Sequence, residues 1–251
     1  MSTVVPSFAD EEFVMISARN AFRATSLLGM LALKIGHLSG QATNTVTDAD
    51  RKAGWHLLFD GKTTAGFRGY KTNTVPSAWR VVDGVLTKAV STGDIVTKQE
   101  FKDFELRFDW KLEKGGNSGV FYRANEAFDH IYWTGPEFQL LDDANAPDGR
   151  NRLTSAGAAY GLYAAPAGVV KPADEWNSSA ILVKGNHVEH WMNGQKIVKY
   201  ELLSPDWEAK VRASKFGVWP QYGRLPKGII GFQGDHNGAL SLRNIMIREL
   251  K

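Results

Sequence analysis

"FELRFDWKL", residues 104–112, alternates without a break: Phe104, Leu106, Phe108, Trp110 and Leu112 fall on one side of an extended chain, and Glu105, Arg107, Asp109 and Lys111 on the other. A period of two with this split is the pattern of a half-buried antiparallel strand. On a helix the same apolar residues would scatter around the axis and form no single face. The period recurs on both sides of this stretch. "WRVVDGVLTKA" (79–89) sets Asp83-Gly84 between two apolar runs, the residue pair of a two-residue type I′ hairpin. "ILVKGNHVEHWMNGQKIVKYEL" (181–202) holds two more turns, Gly185-Asn186 and Asn193-Gly194, and so predicts a three-strand meander. "GVFYRA" (119–124), "PEFQLLD" (136–142), "KGIIGFQ" (227–233) and "LSLRNIMIREL" (240–250) add further strands. From Trp55 onward only "DWEAKVRASKF" (206–216) reads as a helix.

Many short strands joined by tight turns, without helices between them, predict an all-β fold of two packed sheets, a sandwich or jelly roll with one short helix. No repeat of about 20–50 residues is visible, which argues against a propeller. The chain's 251 residues, 43% of them hydrophobic, suffice for a larger all-β domain. Thirty basic and 27 acidic residues leave a net charge of +3, with no dense Lys/Arg run, so no nucleic-acid footprint is expected. The absence of cysteine excludes disulfides, thiolate nucleophiles and Cys-bound zinc. Eight tryptophans suit core packing and sugar platforms alike.

Residues 1–42 differ from the rest of the chain. "SLLGMLAL" (26–33) is a short apolar run preceded by Arg19 and Arg23 and followed by the small residues of "HLSGQA". This is the pattern of a secretory signal peptide cleaved near Ala42, with Met15 as the start, because Asp10, Glu11 and Glu12 do not belong in such a segment. An amphipathic N-terminal extension packed on the domain is the competing reading. The run is too short for a stable membrane span, which needs about twenty apolar residues. A secreted or periplasmic protein is therefore expected, with residues 43–53 as a polar linker and residues 54–251 as the folded domain.

Eight stretches occur in a telling order: "LLFDGKTTAGF" (57–67), "WRVVDGVL" (79–86), "DIVTKQEFKDFELRFDWKL" (94–112), "GGNSGVFYR" (115–123), "TGPEFQLLDD" (134–143), "SAGAAYGLY" (155–163), "EWNSSAILVKGNHVEHWMNGQKI" (175–197) and "GIIGFQGDHNGALSLRNIMI" (228–247). Together they resemble the 3-keto-disaccharide hydrolase family, over residues 54–251. The resemblance implies a concanavalin A-like jelly roll and a carbohydrate substrate, a 3-keto-glycoside. It also implies a separate sugar 3-oxidoreductase acting upstream, since no dinucleotide fingerprint occurs in this chain. There is one departure: the family runs Gln-Asp-His at the penultimate strand, and here Gly234 is inserted, giving Gln233-Gly234-Asp235-His236.

The candidate site centres on "TGPEFQLLDDANAPDG" (134–149). Strict alternation puts Glu137 and Gln139 on one face and Phe138 and Leu140 on the other, and a bulge at Leu140-Leu141 would return Asp142 to the face of Glu137. The spacing Glu-x-Gln-x-x-Asp is similar to the Glu-x-Asp-x-x-Glu strand of concanavalin-fold β-glucanases, so a retaining glucanase with its two carboxyls about 5–5.5 Å apart is one alternative. A non-catalytic carbohydrate-binding module is another. The resemblance favours a different chemistry. The carbonyl of a 3-keto sugar acidifies the C2 proton, and its removal lets the C1 substituent leave by elimination, with water adding back for net hydrolysis. Such a reaction needs a base, a proton donor and a group that stabilises the enolate. Glu137 and His236 are the acid/base candidates, and Asp142 is placed to orient His236 or help hold a divalent cation. Gln139 and Asn117 are expected to bind hydroxyls, Lys98 or Arg123 to stabilise the enolate, and Tyr160 to stack on or hydrogen-bond the ring. The loop 142–149, with Asp142, Asp143, Asn145 and Asp148, carries hard oxygen donors for a cation but lacks the residues of an EF-hand. His187 and His190 read as surface or core residues.

Overall fold

The apolar residues that alternate along 104–112 are all buried, and of the polar residues between them Arg107 and Lys111 are partly exposed while Glu105 and Asp109 are buried as well. The computed structural model describes residues 43–251, so the expected signal peptide (1–42) lies outside the described residues. In chain order the elements are α1 (Asp48–Lys52), β1 (His56–Leu57), β2 (Phe67–Gly69), β3 (Arg80–Val82), β4 (Val85–Lys88), β5 (Ile95–Thr97), β6 (Phe104–Leu112), β7 (Asn117–Ala124), β8 (Glu137–Leu141), β9 (Asn177–Lys184), β10 (His187–Met192), β11 (Gln195–Glu201), α2 (Pro205–Ala213), β12 (Ile229–Phe232) and β13 (Leu240–Glu249). The strands form two antiparallel sheets. The larger runs β11-β10-β9-β6-β13-β4-β3 with β1 paired to β13, and the smaller runs β2-β5-β12-β7-β8. This is the two-sheet jelly-roll sandwich that the pattern implies.

The core lies between the sheets. Phe104, Leu106, Phe108 and Trp110 of β6 pack in one cluster with Val120 and Tyr122 of β7, Phe138 and Leu140 of β8 and Phe232 of β12. Phe108 meets Phe138 and Phe232 edge to face at ring-centre distances of 5.9 and 6.1 Å, the geometry that the charge distribution of aromatic rings favours. The hairpins close as expected: Asp83 and Gly84 have φ of 49° and 78°, and Asn193 and Gly194 have 49° and 83°, the left-handed pairs of a type I′ turn.

Two expectations change. Residues 43–53 are anchored to the domain instead of linking to it. The Asn44 amide N–H donates to Asn244 Oδ1 (2.7 Å), the Asn244 N–H donates to Asn44 Oδ1 (2.8 Å), and Asn44 Nδ2 donates to the Gly84 carbonyl (2.7 Å). Val46 packs with Trp55 and Met246, and α1 begins on a Thr47 side-chain cap. The second helix is also shorter than its apolar spacing suggests. It starts on the Ser204 cap with Pro205 in its first turn, buries Trp207 and Val211, and stops at Ala213. The chain then tightens into a 3-10 turn, Lys215–Val218, capped again by Ser214. That turn carries Lys215 to a cavity on the smaller sheet.

Candidate active site

Because Phe138 and Leu140 turn into the core, Glu137 and Gln139 must turn the other way. They form, with Asn117 of β7 and Gln233 just beyond β12, the strand-borne part of a cavity of about 210 Å³ on the outward face of the smaller sheet. Loops supply the rest: Tyr132, Asp148, Tyr160, Lys215, Asp235 and His236. All ten lining residues are polar.

Glu137 is 7% exposed and owes its place to a missing side chain. Gly119 lies beside it on β7, and a Cβ there would fall 2.0 Å from Glu137 Oε1. Burial pushes the Glu137 carboxyl up to about 8; the Lys215 cation opposes the rise, while Asp235, Asp94 and Asp148 add to it. Gln139 Nε2 donates to Asn117 Oδ1 (3.1 Å). Among the described residues no donor reaches the buried Oε1 atoms of Gln139 and Gln233, so both acceptors suit the hydroxyls of a guest. Tyr160 Oη donates to Asp148 Oδ2 at 3.4 Å, and burial, with help from Asp148 and Glu137, pushes its phenol up to about 12. Lys215 Nζ stands 4.5 Å from the centre of the Tyr160 ring and 5.8 Å from that of Tyr132.

His236 sits on a loop tied to the segment 88–94. Lys88, 1% exposed, donates from Nζ to the carbonyls of His236 (2.6 Å) and Gly238 (3.0 Å). Burial lowers the Lys88 pKa, against the attraction of Asp235, Glu113 and Asp94. Ser91 Oγ donates to the Asp235 carbonyl (2.6 Å) and the Thr92 N–H to the Gly234 carbonyl (2.9 Å). The Gly234 N–H donates to Asp94 Oδ1 (2.7 Å). Burial raises Asp94 to about 7, with the Gly234 bond opposing. The inserted glycine fits because it has no side chain: a Cβ would lie 2.5 Å from the Gly93 carbonyl oxygen. With this seating, Asp235 and His236 both reach the cavity, and His236 Nε2 lies 3.7 Å from Asp235 Oδ1.

Of the residues singled out in the sequence, Glu137, Gln139, Asn117, Tyr160 and His236 meet in this cavity, and three do not. The β7–β8 register runs without a shift from Phe121↔Glu137 to Asn117↔Leu141, so the bulge expected at Leu140-Leu141 is absent. Asp142 leaves the strand instead, and its carboxylate accepts the N–H groups of Gly115 and Ala144 and Asn145 Nδ2. It holds turns together and has no contact with His236. Arg123 sits at a β-bulge in β7, where the pairing with β12 shifts and φ is 47°. The bulge aims its buried guanidinium away from the cavity, onto the Lys102 carbonyl and Asp103. Lys98 is exposed and stands apart from the lining. The cation loop is also dispersed. Asp142 is spent on turns, Asp143 binds Arg152 and the Ala156 N–H, and Asp148 faces Tyr160. Among the described residues no group of three or more acidic or histidine side chains is spaced to hold a metal, nor is any helix long and apolar enough to cross a membrane.

Tyr132, Lys215, Gln233 and Asp235 line the cavity without having stood out in the sequence as binding residues, and Asp148, which stood out only as a cation donor, lines it beside Tyr160. Tyr132, Asp148 and Lys215 stand on single 3-10 turns and Asp235 on a loop, with no periodicity to read. Gln233 and Asp235 were visible only as neighbours of His236.

The pattern of the 3-keto-alpha-glucoside-1,2-lyase-like domain matches residues 54–248. A curated relative, the 3-keto-disaccharide hydrolase of Bacteroides thetaiotaomicron, is 34% identical over 235 residues, which is 81% of this chain and 80% of that protein. A solved structure from Parabacteroides distasonis ATCC 8503, described as a candidate glycosyl hydrolase, is 34% identical with a TM-score of 0.79, over 84% of this chain and all of that one. A second from the same organism is 32% identical with a TM-score of 0.65, over 78% of this chain and 99% of that one. The match spans the whole sandwich together with every element that lines the cavity, and the chain belongs to the 3-keto-alpha-glucoside-1,2-lyase-like family.

Proposed function

We infer that this protein is a glycosidic-bond hydrolase that cleaves 3-keto-glycosides by way of C2 deprotonation. The observation that carries the reading is Glu137, a buried carboxyl held near pKa 8 in a one-ring polar cavity that also contains a His–Asp pair. At neutral pH such a carboxyl is mostly protonated and serves as a proton donor, while the half-exposed His236, beside Asp235, serves as the base. In the proposed sequence His236 takes the C2 proton. The electron pair moves into the C2–C3 bond and the ketone oxygen takes up the negative charge. The Lys215 ammonium supplies the positive field that Lys98 and Arg123 are too distant to give. The enolate then expels the C1 substituent, whose oxygen receives the Glu137 proton. Left as a carboxylate, Glu137 removes a proton from the water that adds at C1, and His236 returns its proton to C2. Gln139, Gln233 and Asn117 hold the hydroxyls.

The glucanase alternative loses its basis, because Asp142 is outside the cavity and cannot pair with Glu137 across a bond. A deuterium label at C2 of a 3-keto-glucoside tests the proposal: single-turnover cleavage should be several-fold slower than for the protium substrate. Equal single-turnover rates, with bond cleavage shown to be the step observed, would exclude C2 deprotonation. Supply of the substrate calls for a separate sugar 3-oxidoreductase. We also infer export, from the Arg-flanked apolar run 26–33 that precedes the anchored residues from Thr43 onward. An intact N-terminus on exported protein, read by mass spectrometry, would reject signal cleavage.

A further inference from the structure

The cavity opens beside a bed of aromatic rings that the proposed chemistry does not use. Tyr132 belongs to both. His130 stacks on Tyr132 at 4.9 Å and 17° and meets Trp133 edge-on at 4.7 Å. Trp133 stacks on Trp219 at 4.1 Å and 14°, and Phe128 meets Trp219 at 5.2 Å. These residues come from two separate segments, 128–133 and the turn that delivers Lys215. His130 is exposed, and Phe128, Tyr132, Trp133 and Trp219 are each half-buried. The neighbouring Val218 is 77% exposed.

The contrast with the cavity is chemical. The cavity is lined wholly by polar side chains, and its volume of about 210 Å³ falls below the ~300–1,000 Å³ usual for pockets that enclose a whole small molecule. It fits one sugar ring. Whatever is attached at C1 of that ring must lie outside, on the rim. A second sugar there could lay a C–H face on the rings, but its edge hydroxyls would lack the amides and carboxylates found inside. The rim offers mainly ring carbon. Resting on the function proposed above, we propose that the surface formed by Tyr132, Trp133 and Trp219 is a leaving-group subsite that prefers a flat, apolar, aromatic aglycone to a second sugar.

The test compares three substrates, a 4-nitrophenyl 3-keto-glucoside, a methyl 3-keto-glucoside and a 3-keto-disaccharide, on wild type, Trp219→Ala and Trp219→Phe. Nitrophenoxide leaves more easily whatever the enzyme does, so the quantity read is the change between variants in the ratio of kcat/KM values. Trp219→Ala is expected to lower the aryl-to-methyl ratio about five- to tenfold, the scale of one lost aromatic contact, and Trp219→Phe should restore most of it. The methyl substrate, which does not reach the rim, reports in the same samples whether the fold survives. Should Trp219→Ala itself fail to fold, Trp219→Leu and Trp133→Leu, which keep bulk but remove the ring, are compared with wild type by inhibition with free phenols; loss of that inhibition supports the subsite and unchanged inhibition overturns it. An unchanged aryl-to-methyl ratio overturns the proposal. So does a loss confined to the disaccharide, which would make the rim a second sugar site. If wild type cleaves no 3-keto-glycoside at all, the parent reading fails first, and that outcome is distinct from failure of the subsite.

Discussion

The two outward faces of the sandwich both bury carboxylates and treat them in opposite ways. On the larger sheet Glu105 is fully buried between two guanidinium groups, Arg107 at 3.1 Å and Arg248 at 2.5 Å. Those arginines in turn lie over the Trp55 ring at 4.0 and 5.0 Å. Asp109, 2% exposed, accepts from Ser178 Oγ (2.7 Å), Asn244 Nδ2 (2.7 Å) and Arg243 Nε (3.3 Å). On the smaller sheet Glu137 is nearly as buried, yet among the described residues no guanidinium or ammonium is within salt-bridge distance of it, and burial raises its pKa. An acid matched by cations is structure. An acid buried without one is held in the protonated form and is available for chemistry.

The largest effects should separate these faces. Glu137→Gln is expected to lower turnover of a 3-keto-glycoside by about 10²–10⁴-fold, the range for loss of a general acid/base group, with the protein still folded. Unchanged turnover would remove Glu137 from the mechanism. Glu105→Gln should do the reverse. It leaves two arginines without their anion and should cost about 3 kcal/mol of stability, near the low end for breaking a buried pair because both arginines are partly exposed. Activity per folded molecule should remain near wild type. Chemical denaturation measures the first quantity and active-site titration the second; a stable but inactive Glu105→Gln would break the comparison.

The smallest effect is a pH dependence. His190 is fully buried. Because the Gly157 carbonyl can only accept, Nδ1 must carry the hydrogen of that 2.9 Å bond, and Nε2 accepts from Tyr122 Oη at 2.9 Å. Tyr122 in turn pairs with Tyr200. Burial depresses His190 from 6.5 to about 4, with the Gly157 bond opposing. The unfolded chain therefore binds the extra proton first, and stability is lost as pH falls from about 6.5 to 4, by roughly 3 kcal/mol. Glu137 has the opposite sign. Its pKa is raised from 4.5 to about 8, so the stability it contributes at low pH is lost as pH rises through that window. In Glu137→Gln the second trend should vanish while the first remains. Thermal melts of both proteins between pH 4 and 8 would show it, and parallel curves would refute the assignment for Glu137.

The same two faces explain what the sequence discloses. Alternation in 104–112 and the Asp-Gly and Asn-Gly turns are local, so strands, hairpins and the shared face of Glu137 and Gln139 follow from spacing alone, while Asn117 joins them only through the β7–β8 register. Arg123 misled because a bulge rotates it, and the chain around it carries no mark of one. Asp142 misled because β8 runs to Leu141 without the expected bulge, so the acid turns out of the strand. Lys215, Tyr132 and Asp148 reach the cavity through 3-10 turns whose positions depend on packing far along the chain, and Lys88 reads as an ordinary strand lysine until the loop it tethers is seen.

Gly119 offers a way to read function at a single position. The place its side chain would occupy is the place of the Glu137 carboxyl, so a methyl group at 119 would force that carboxyl to move. The sandwich itself asks nothing of this site, since the residue lies on a regular strand opposite Gln139. In any chain of this architecture, glycine here leaves room for a buried acid. Alanine or anything larger would displace the acid from its present place, so residue 119 is the position to read beside 137 wherever the role proposed for Glu137 is tested.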